Sequence, residues 1–245
     1  MSAPVSLRRE SPGVARPSEK ILAAGGASGS SMVKEGYPWI LVPLVAGLLA
    51  GLLYAFWGAL PLLVLAAVLL LLAAFMAYFF RDPQRAVPAE SGLVVSPADG
   101  KVTRVEKLSG GGAGSPTVVS IFLSPFDVHV NRAPVAGKVI DVTYTKGRFI
   151  AATSDNASLV NEQNALTIKG ERMTVVCKQI AGVLARRIVC WKRPGDTLEL
   201  GERFGLIKFG SRTDLVLPGE VEVLVKVGER VSGGVTVIGR FLDGE

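Results

Sequence analysis

Between Tyr37 and Phe80 the chain carries no Asp, Glu, Lys, Arg or His across 44 residues. A helix needs about 20 apolar residues to cross a bilayer, so a run of this length predicts two helices and not one. The break falls at Trp57-Gly58-Ala59-Leu60-Pro61, where Gly and Pro favour a turn. The expected spans are therefore Pro38–Trp57 and Pro61–Phe80. Tyr37, Trp39, Tyr54, Trp57 and Tyr78 fall near the ends, as interfacial aromatics do. A secretory signal fits poorly, because the stretch starts late, runs too long and lacks a small-residue cleavage site. A hairpin returns both ends to one side. Lys34 before it and Arg81 and Arg85 after it make that side cytoplasmic by positive-inside bias. A hairpin dipping into one leaflet is the alternative.

After Phe80 the pattern changes to short runs rich in Val, Ile and Thr, separated by Gly and Pro turns. These predict strands at Lys101–Leu108, Thr117–Leu123, Lys138–Tyr144, Ala165–Ile168, Met173–Ile180, Arg186–Trp191, Gly205–Phe209, Val221–Val227 and Val235–Phe241. The one candidate helical stretch is Asp155–Asn164. The expected fold is mainly β, a barrel-like or sandwich-like domain behind an N-terminal α-helical membrane hairpin. Residues 1–36 are rich in Ser, Pro, Gly and Ala without periodicity and read as a disordered cytoplasmic tail. The chain thus divides into 1–36, the hairpin 37–80 and a domain 81–245. The Gly-rich run Ser109–Ser115 lacks the Lys-Ser/Thr ending and following helix of a phosphate cradle, and reads as a hairpin loop.

The net charge is +6, and residues 81–245 hold 22 Lys plus Arg against 18 Asp plus Glu. A mildly basic domain tethered beside a bilayer suits an anionic lipid surface. No basic run is interleaved with aromatics, so no nucleic-acid partner is expected. Cys177 and Cys190 match no metal spacing and read as reduced packing residues. The single histidine, His129, argues against a metal site and against a membrane-tethered zinc endopeptidase, which needs several ligands.

Candidate chemistry begins at Gly210-Ser211, inside Phe204–Asp214. A serine hydroxyl can attack the carbonyl before it, and glycine there offers the least obstruction. The amide becomes an ester. Loss of the serine α-proton expels the glycine carboxylate, and the dehydroalanine left behind hydrolyses to ammonia and an N-terminal pyruvoyl group. Gly-Ser is equally a common turn pair. His129 lies in Ser124-Pro-Phe-Asp-Val-His-Val-Asn-Arg-Ala-Pro134, a dense polar setting for the side chain best suited to move protons near neutral pH. Asp99, in Ser96-Pro-Ala-Asp-Gly100, reads either as a hairpin turn or as the acid that orients His129.

Phe79-Phe-Arg-Asp-Pro83, Ser96–Gly100, Ser124–Arg132, Asn161-Glu-Gln-Asn164, Gln179–Gly182, Ala185-Arg-Arg-Ile188 and Phe209-Gly-Ser-Arg212 occur in that order. The set resembles the short bacterial form of the phosphatidylserine decarboxylase proenzymes, over nearly all of 79–245. The resemblance implies cleavage between Gly210 and Ser211 into a β chain, 1–210, and an α chain, 211–245, that stay together, with a higher homo-oligomer left open. Residue 211 would become the covalent pyruvoyl cofactor and hold the substrate amine as a Schiff base, an electron sink like a pyridoxal ring. His129 would activate Ser211 and later return a proton to the former α-carbon, with Asp99 holding the imidazole. Asn131, Arg132, Arg186 and Arg187 are candidates for the lipid phosphate, since Arg suits phosphate geometry. Longer relatives carry a second histidine three positions before the catalytic one, and Phe126 stands there in this chain. The partners implied are phosphatidylserine and the cell membrane, with the domain on the cytoplasmic face. Two rival readings remain: a non-enzymatic lipoyl-like β module, which predicts an uncleaved chain, and a decarboxylase of an ether-linked serine lipid.

Overall fold

The computed structural model describes residues 32–108, 114–154, 156–183 and 187–242. Most of the tail 1–36, most of the Gly-rich run, Asp155 and the candidate phosphate ligand Arg186 lie outside the described residues. The apolar run forms two helices, α1 (Tyr37–Trp57) and α2 (Leu60–Phe79). Gly58 ends α1 with a left-handed φ of 65°, and its N–H donates to the Tyr54 carbonyl, 2.7 Å. That is the αL stop at which glycine carries no Cβ penalty. Pro61 then sits in the first turn of α2, where its missing N–H costs nothing. The residues buried in the two helices are mostly small (Gly47, Ala50, Ala66 and Ala73), while Leu41, Val45, Leu48, Leu52, Phe56, Leu65 and Leu71 are exposed. Small residues at a helix contact let the backbones approach closely, as in membrane bundles. Both helices are long and apolar enough to cross a bilayer, with mean hydropathy 2.2 and 2.8. Their outer ends return together: the Val33 N–H donates to the Phe80 carbonyl, and Met32 bridges Arg81.

The rest is β structure. Strands β1 (Leu93–Val95), β2 (Gly100–Lys107), β3 (Thr117–Leu123), β4 (Val130–Arg132) and β5 (Gly137–Thr145) lead to a single turn of helix, α3 (Ala157–Val160). Then follow β6 (Gln163–Lys169), β7 (Thr174–Ile180), β8 (Ile188–Cys190), β9 (Thr197–Leu198) and β10 (Arg203–Ile207). The chain closes with β11 (Ser211–Leu217), β12 (Val221–Val223), β13 (Arg230–Val231) and β14 (Val237–Phe241). An eight-stranded antiparallel sheet runs β13-β2-β3-β11-β7-β6-β5-β9, beside three-stranded sheets β4-β10-β8 and β1-β14-β12. Val102, Val119, Ile121, Leu123, Leu166, Ile168, Val175, Leu215 and Ile238 form one closed core. The mainly β expectation holds. The sequence reading misses β1, β4, β9, β11 and β13, and the helix expected over Asp155–Asn164 shrinks to α3 because β6 starts at Gln163.

Two polar locks hold the hairpin and the central strand in place. Asp82, 1% exposed, pairs through Oδ1 with Arg132 Nη2 (2.7 Å) and through Oδ2 with Arg203 Nε (2.6 Å). This ties the exit of α2 to β4 and β10. A chain of buried amides links four strands. Asn164 donates to Gln179 Oε1 (3.1 Å), Gln179 to Asn131 Oδ1 (2.9 Å), and Asn131 to Thr213 Oγ1 (3.0 Å). Each amide in this chain finds a partner, so the network specifies register while its desolvation is offset by hydrogen bonds.

Candidate active site

Ser211 opens β11 in the middle of the large sheet, opposite Leu123 of β3. It is fully buried, and its hydroxyl has no hydrogen-bond partner among the described residues. The two residues before it form the turn from β10. Phe209 takes a left-handed φ of 58° and Gly210 one of 53°. Phe209 is the only residue other than glycine with positive φ among the described residues. On the far side of the Gly210 carbonyl lies Gly182: a Cβ built there would come within 2.0 Å of the Gly210 oxygen. The backbone after β7 therefore lies directly against the carbonyl that self-cleavage would attack.

His129 precedes β4 and is 1% exposed. Its Nδ1 lies 2.9 Å from the Asp127 carbonyl. A carbonyl only accepts, so Nδ1 carries the proton and Nε2 keeps its lone pair. Nε2 has no partner among the described residues. Burial lowers the imidazole pKa from 6.5 to about 4, against the pull of the Asp127 carbonyl and carboxylate. The ring is thus neutral at pH 7. Aromatic packing puts base and turn on one wall. Phe79 lies 4.2 Å from the His129 ring and stacks 4.4 Å from Phe209 (centroid distances).

Self-cleavage that uses neutral His129 is expected to keep its rate from pH 8 down to about 5. Protonation removes the base, so the rate falls about tenfold per unit only below a pKa of about 4. An ordinary histidine would begin to cut the rate near 6.5. Cleavage half-times of the full chain between pH 4 and 8, followed by mass, distinguish the two profiles.

The structure separates the other candidates. Asp99 Oδ1 accepts from the Gly233 N–H (2.8 Å) and Oδ2 from Arg85 (2.7 Å). No hydrogen bond joins it to His129; the acceptor that orients the ring is the Asp127 carbonyl. Asp127 is itself held by Ser124 through Oδ2 and by Arg230 through Oδ1. Asn131 is committed to the amide chain, and Arg132 to Asp82, Pro83 and Gly201, which leaves neither facing a ligand. Arg187 is exposed, and its carbonyl accepts from the Lys208 N–H. Cys177 is buried, which pushes its thiol up and fits a packing role.

Sequence reasoning passed over Lys208. It is 8% exposed, with Nζ 5.5 Å from the Trp39 ring centroid and 5.8 Å from that of Phe80. Burial lowers its pKa, Arg187 adds to the effect and Glu35 opposes it. A lysine three residues before Ser211 carries no motif that would single it out. Phe126, where longer relatives carry histidine, is exposed and packs edge-on against Phe75 of α2. Its carbonyl accepts from Tyr78 Oη and Arg81.

A sequence profile of the family described as phosphatidylserine decarboxylase matches residues 72–239. A phosphatidylserine decarboxylase proenzyme of Solibacter usitatus is 51% identical over 187 residues, covering 76% of this chain and 88% of its own. Those of Symbiobacterium thermophilum (48% over 218 residues, 86% and 95% covered) and Carboxydothermus hydrogenoformans (46% over 213, 86% and 96%) are similar throughout. The matched span takes in most of the second half of α2, the aromatic wall, His129 and the Gly210–Ser211 turn, and the chain belongs to the phosphatidylserine decarboxylase family, a family of decarboxylating enzymes.

Proposed function

We propose that the chain matures by cleaving itself between Gly210 and Ser211, and then decarboxylates phosphatidylserine to phosphatidylethanolamine. The observation that carries this is a pair of buried, unpartnered groups, Ser211 Oγ and His129 Nε2, linked through Phe79, which packs on the His129 ring and on Phe209, two residues before Ser211. An unsatisfied buried polar group costs roughly 1–3 kcal/mol, so each of the two calls for a reason. Nε2 would accept the hydroxyl proton of Ser211 as Oγ attacks the Gly210 carbonyl. Asp127 holds the tautomer that makes this possible, and Asp99 enters only through the turn it fixes with Arg85 and Gly233.

Position 211 suits the covalent pyruvoyl group: it is buried at a strand start, and β3 and β7 flank β11 on either side. That group supplies a carbonyl that takes up the substrate amine and the electron pair released with CO2. The protein excludes water around it, and His129 Nε2 can hold a proton for return to the substrate. Lys208 and Arg187 stand where the apolar helices meet the domain, suited to a phosphodiester at head-group level. The hairpin would cross the membrane with Lys34, Arg81 and Arg85 on the cytoplasmic side, sparing extraction of a diacyl lipid at about 0.8 kcal/mol per CH2. Nothing among the described residues of the site reads an acyl linkage, so an assay with ester- and ether-linked serine lipids separates the two substrates.

The test is the mass of the purified full chain under denaturing conditions, with release of CO2 from phosphatidylserine in mixed micelles. Two chains, 1–210 and a pyruvoyl-blocked 211–245, together with CO2 release are expected. One intact, inactive chain would support the scaffold reading instead.

A further inference from the structure

Phe209 takes a strained conformation, and both rings that meet it come from the hairpin. In a bulky L-residue the left-handed conformation crowds Cβ against the carbonyl, and is disfavoured roughly 5- to 30-fold. Such a residue persists only where its surroundings over-determine it. Here Phe209 packs beside an apolar cluster that includes Val128, Val130 and Leu206, and the two rings that meet it come from the apolar helices. Phe79, at the end of α2, stacks on Phe209 at 4.4 Å and 25°. Trp39, in the first turn of α1, meets it edge-on at 6.4 Å and 75°. Phe79 is 1% exposed and also packs against the imidazole of His129. The next turn residue, Gly210, shares the left-handed backbone at φ 53° and carries the carbonyl to be attacked.

We propose that the foot of the hairpin is a positioning element of the self-cleavage centre: Trp39 and Phe79 clamp Phe209 in its left-handed conformation, and so hold the Gly210–Ser211 bond in register with His129. This rests on the reading of 210–211 as the scissile bond. Without the clamp Phe209 relaxes to an ordinary φ, the Gly210 carbonyl turns away and the base has nothing to serve. A precursor whose helices have not yet docked would therefore remain uncleaved, which couples maturation to assembly of the hairpin in the bilayer.

A glycine at 209 adopts positive φ without penalty and should dispense with the clamp. The experiment follows cleavage of the full chain, translated without cells into lipid nanodiscs, by the fraction of two-chain product over time. Trp39→Ala is expected to slow cleavage about tenfold, equivalent to ~1.4 kcal/mol. Phe79→Ala should slow it more, since it frees the imidazole as well. Phe209→Gly should cleave within about threefold of the parent, and Trp39→Ala/Phe209→Gly at the rate of Phe209→Gly alone. A merely structural role for Trp39 would leave the double variant as slow as Trp39→Ala, and that result, like parental cleavage by Trp39→Ala, overturns the clamp. A parent chain that never cleaves at 210–211 is a separate outcome: it overturns the maturation reading itself.

Discussion

A chain carrying Ser211→Ala is expected to stay a single polypeptide of 245 residues and to release no CO2 from phosphatidylserine. The loss should exceed about 10³-fold, because the substitution removes both the nucleophile of maturation and the only source of the cofactor. The structure makes the variant a clean test. Ser211 Oγ bonds nothing among the described residues, so deleting it breaks no hydrogen bond. The backbone of position 211 stays paired with Leu123 of β3. Stability should therefore remain within about 0.5 kcal/mol of the parent, or rise slightly as an unsatisfied hydroxyl disappears. A melting curve matching the parent, with no cleavage after prolonged incubation, is the expected pair of results. Two chains from Ser211→Ala would show that another residue performs the cut.

What the sequence discloses and what it hides follow a physical line. The hairpin is legible because so long a run without charge suits little besides a bilayer, and its Gly-Pro break marks the turn to within a residue or two. Its docking is not legible. A helix apolar on every side carries no stripe to say which face meets protein, so Trp39 and Phe79 look like any membrane aromatics until the fold sets them against Phe209. Of the strands longer than three residues only β11 is missed, although it lies at the centre of the large sheet. Its Ser211-Arg-Thr-Asp214 start looks too polar for a buried strand; in the fold Arg212 and Asp214 pair with each other at 2.8 Å, both 4% exposed. A charge that is neutralised by a neighbour two positions along is invisible to periodicity.

The site shows the same division. His129 and Ser211 are marked by chemistry that the sequence displays. The partner of His129 is a backbone carbonyl, and carbonyls have no signature, so an acid such as Asp99 takes its place in a reading by side chains alone. Likewise Asn131 and Arg132 read as phosphate ligands by type, whereas burial assigns them to an amide chain and an ion pair. Lys208, buried at the helix–domain junction against Trp39 and Phe80, is marked by no motif at all.

Gly182→Ala is expected to slow maturation about 10²-fold, although residue 182 takes no part in bond making. The added Cβ would lie 2.0 Å from the Gly210 oxygen and 3.1 Å from its carbon, with Ala152 Cβ at 3.3 Å. No flexible side chain can yield the space at the closest contact, because the obstacle is the Gly210 carbonyl. The segment holding Gly182 is pinned as well. Ala181 N–H donates to the Glu162 carbonyl, and the Ala181 carbonyl accepts from Asn161 Nδ2 at 2.7 Å. The Gly210 turn must therefore move, by on the order of an ångström, to restore van der Waals contact. Misplacement of that size costs about 10²-fold in a reaction that depends on attack geometry. Removing the lesser contact with Ala152→Gly should not rescue the variant, since the 2.0 Å approach remains. Cleavage half-times of Gly182→Ala and of the double variant, each beside a melting curve, decide the matter. Parental cleavage by Gly182→Ala would mean that the carbonyl under attack points elsewhere, and with it would go the placement of Ser211 and His129 around this turn.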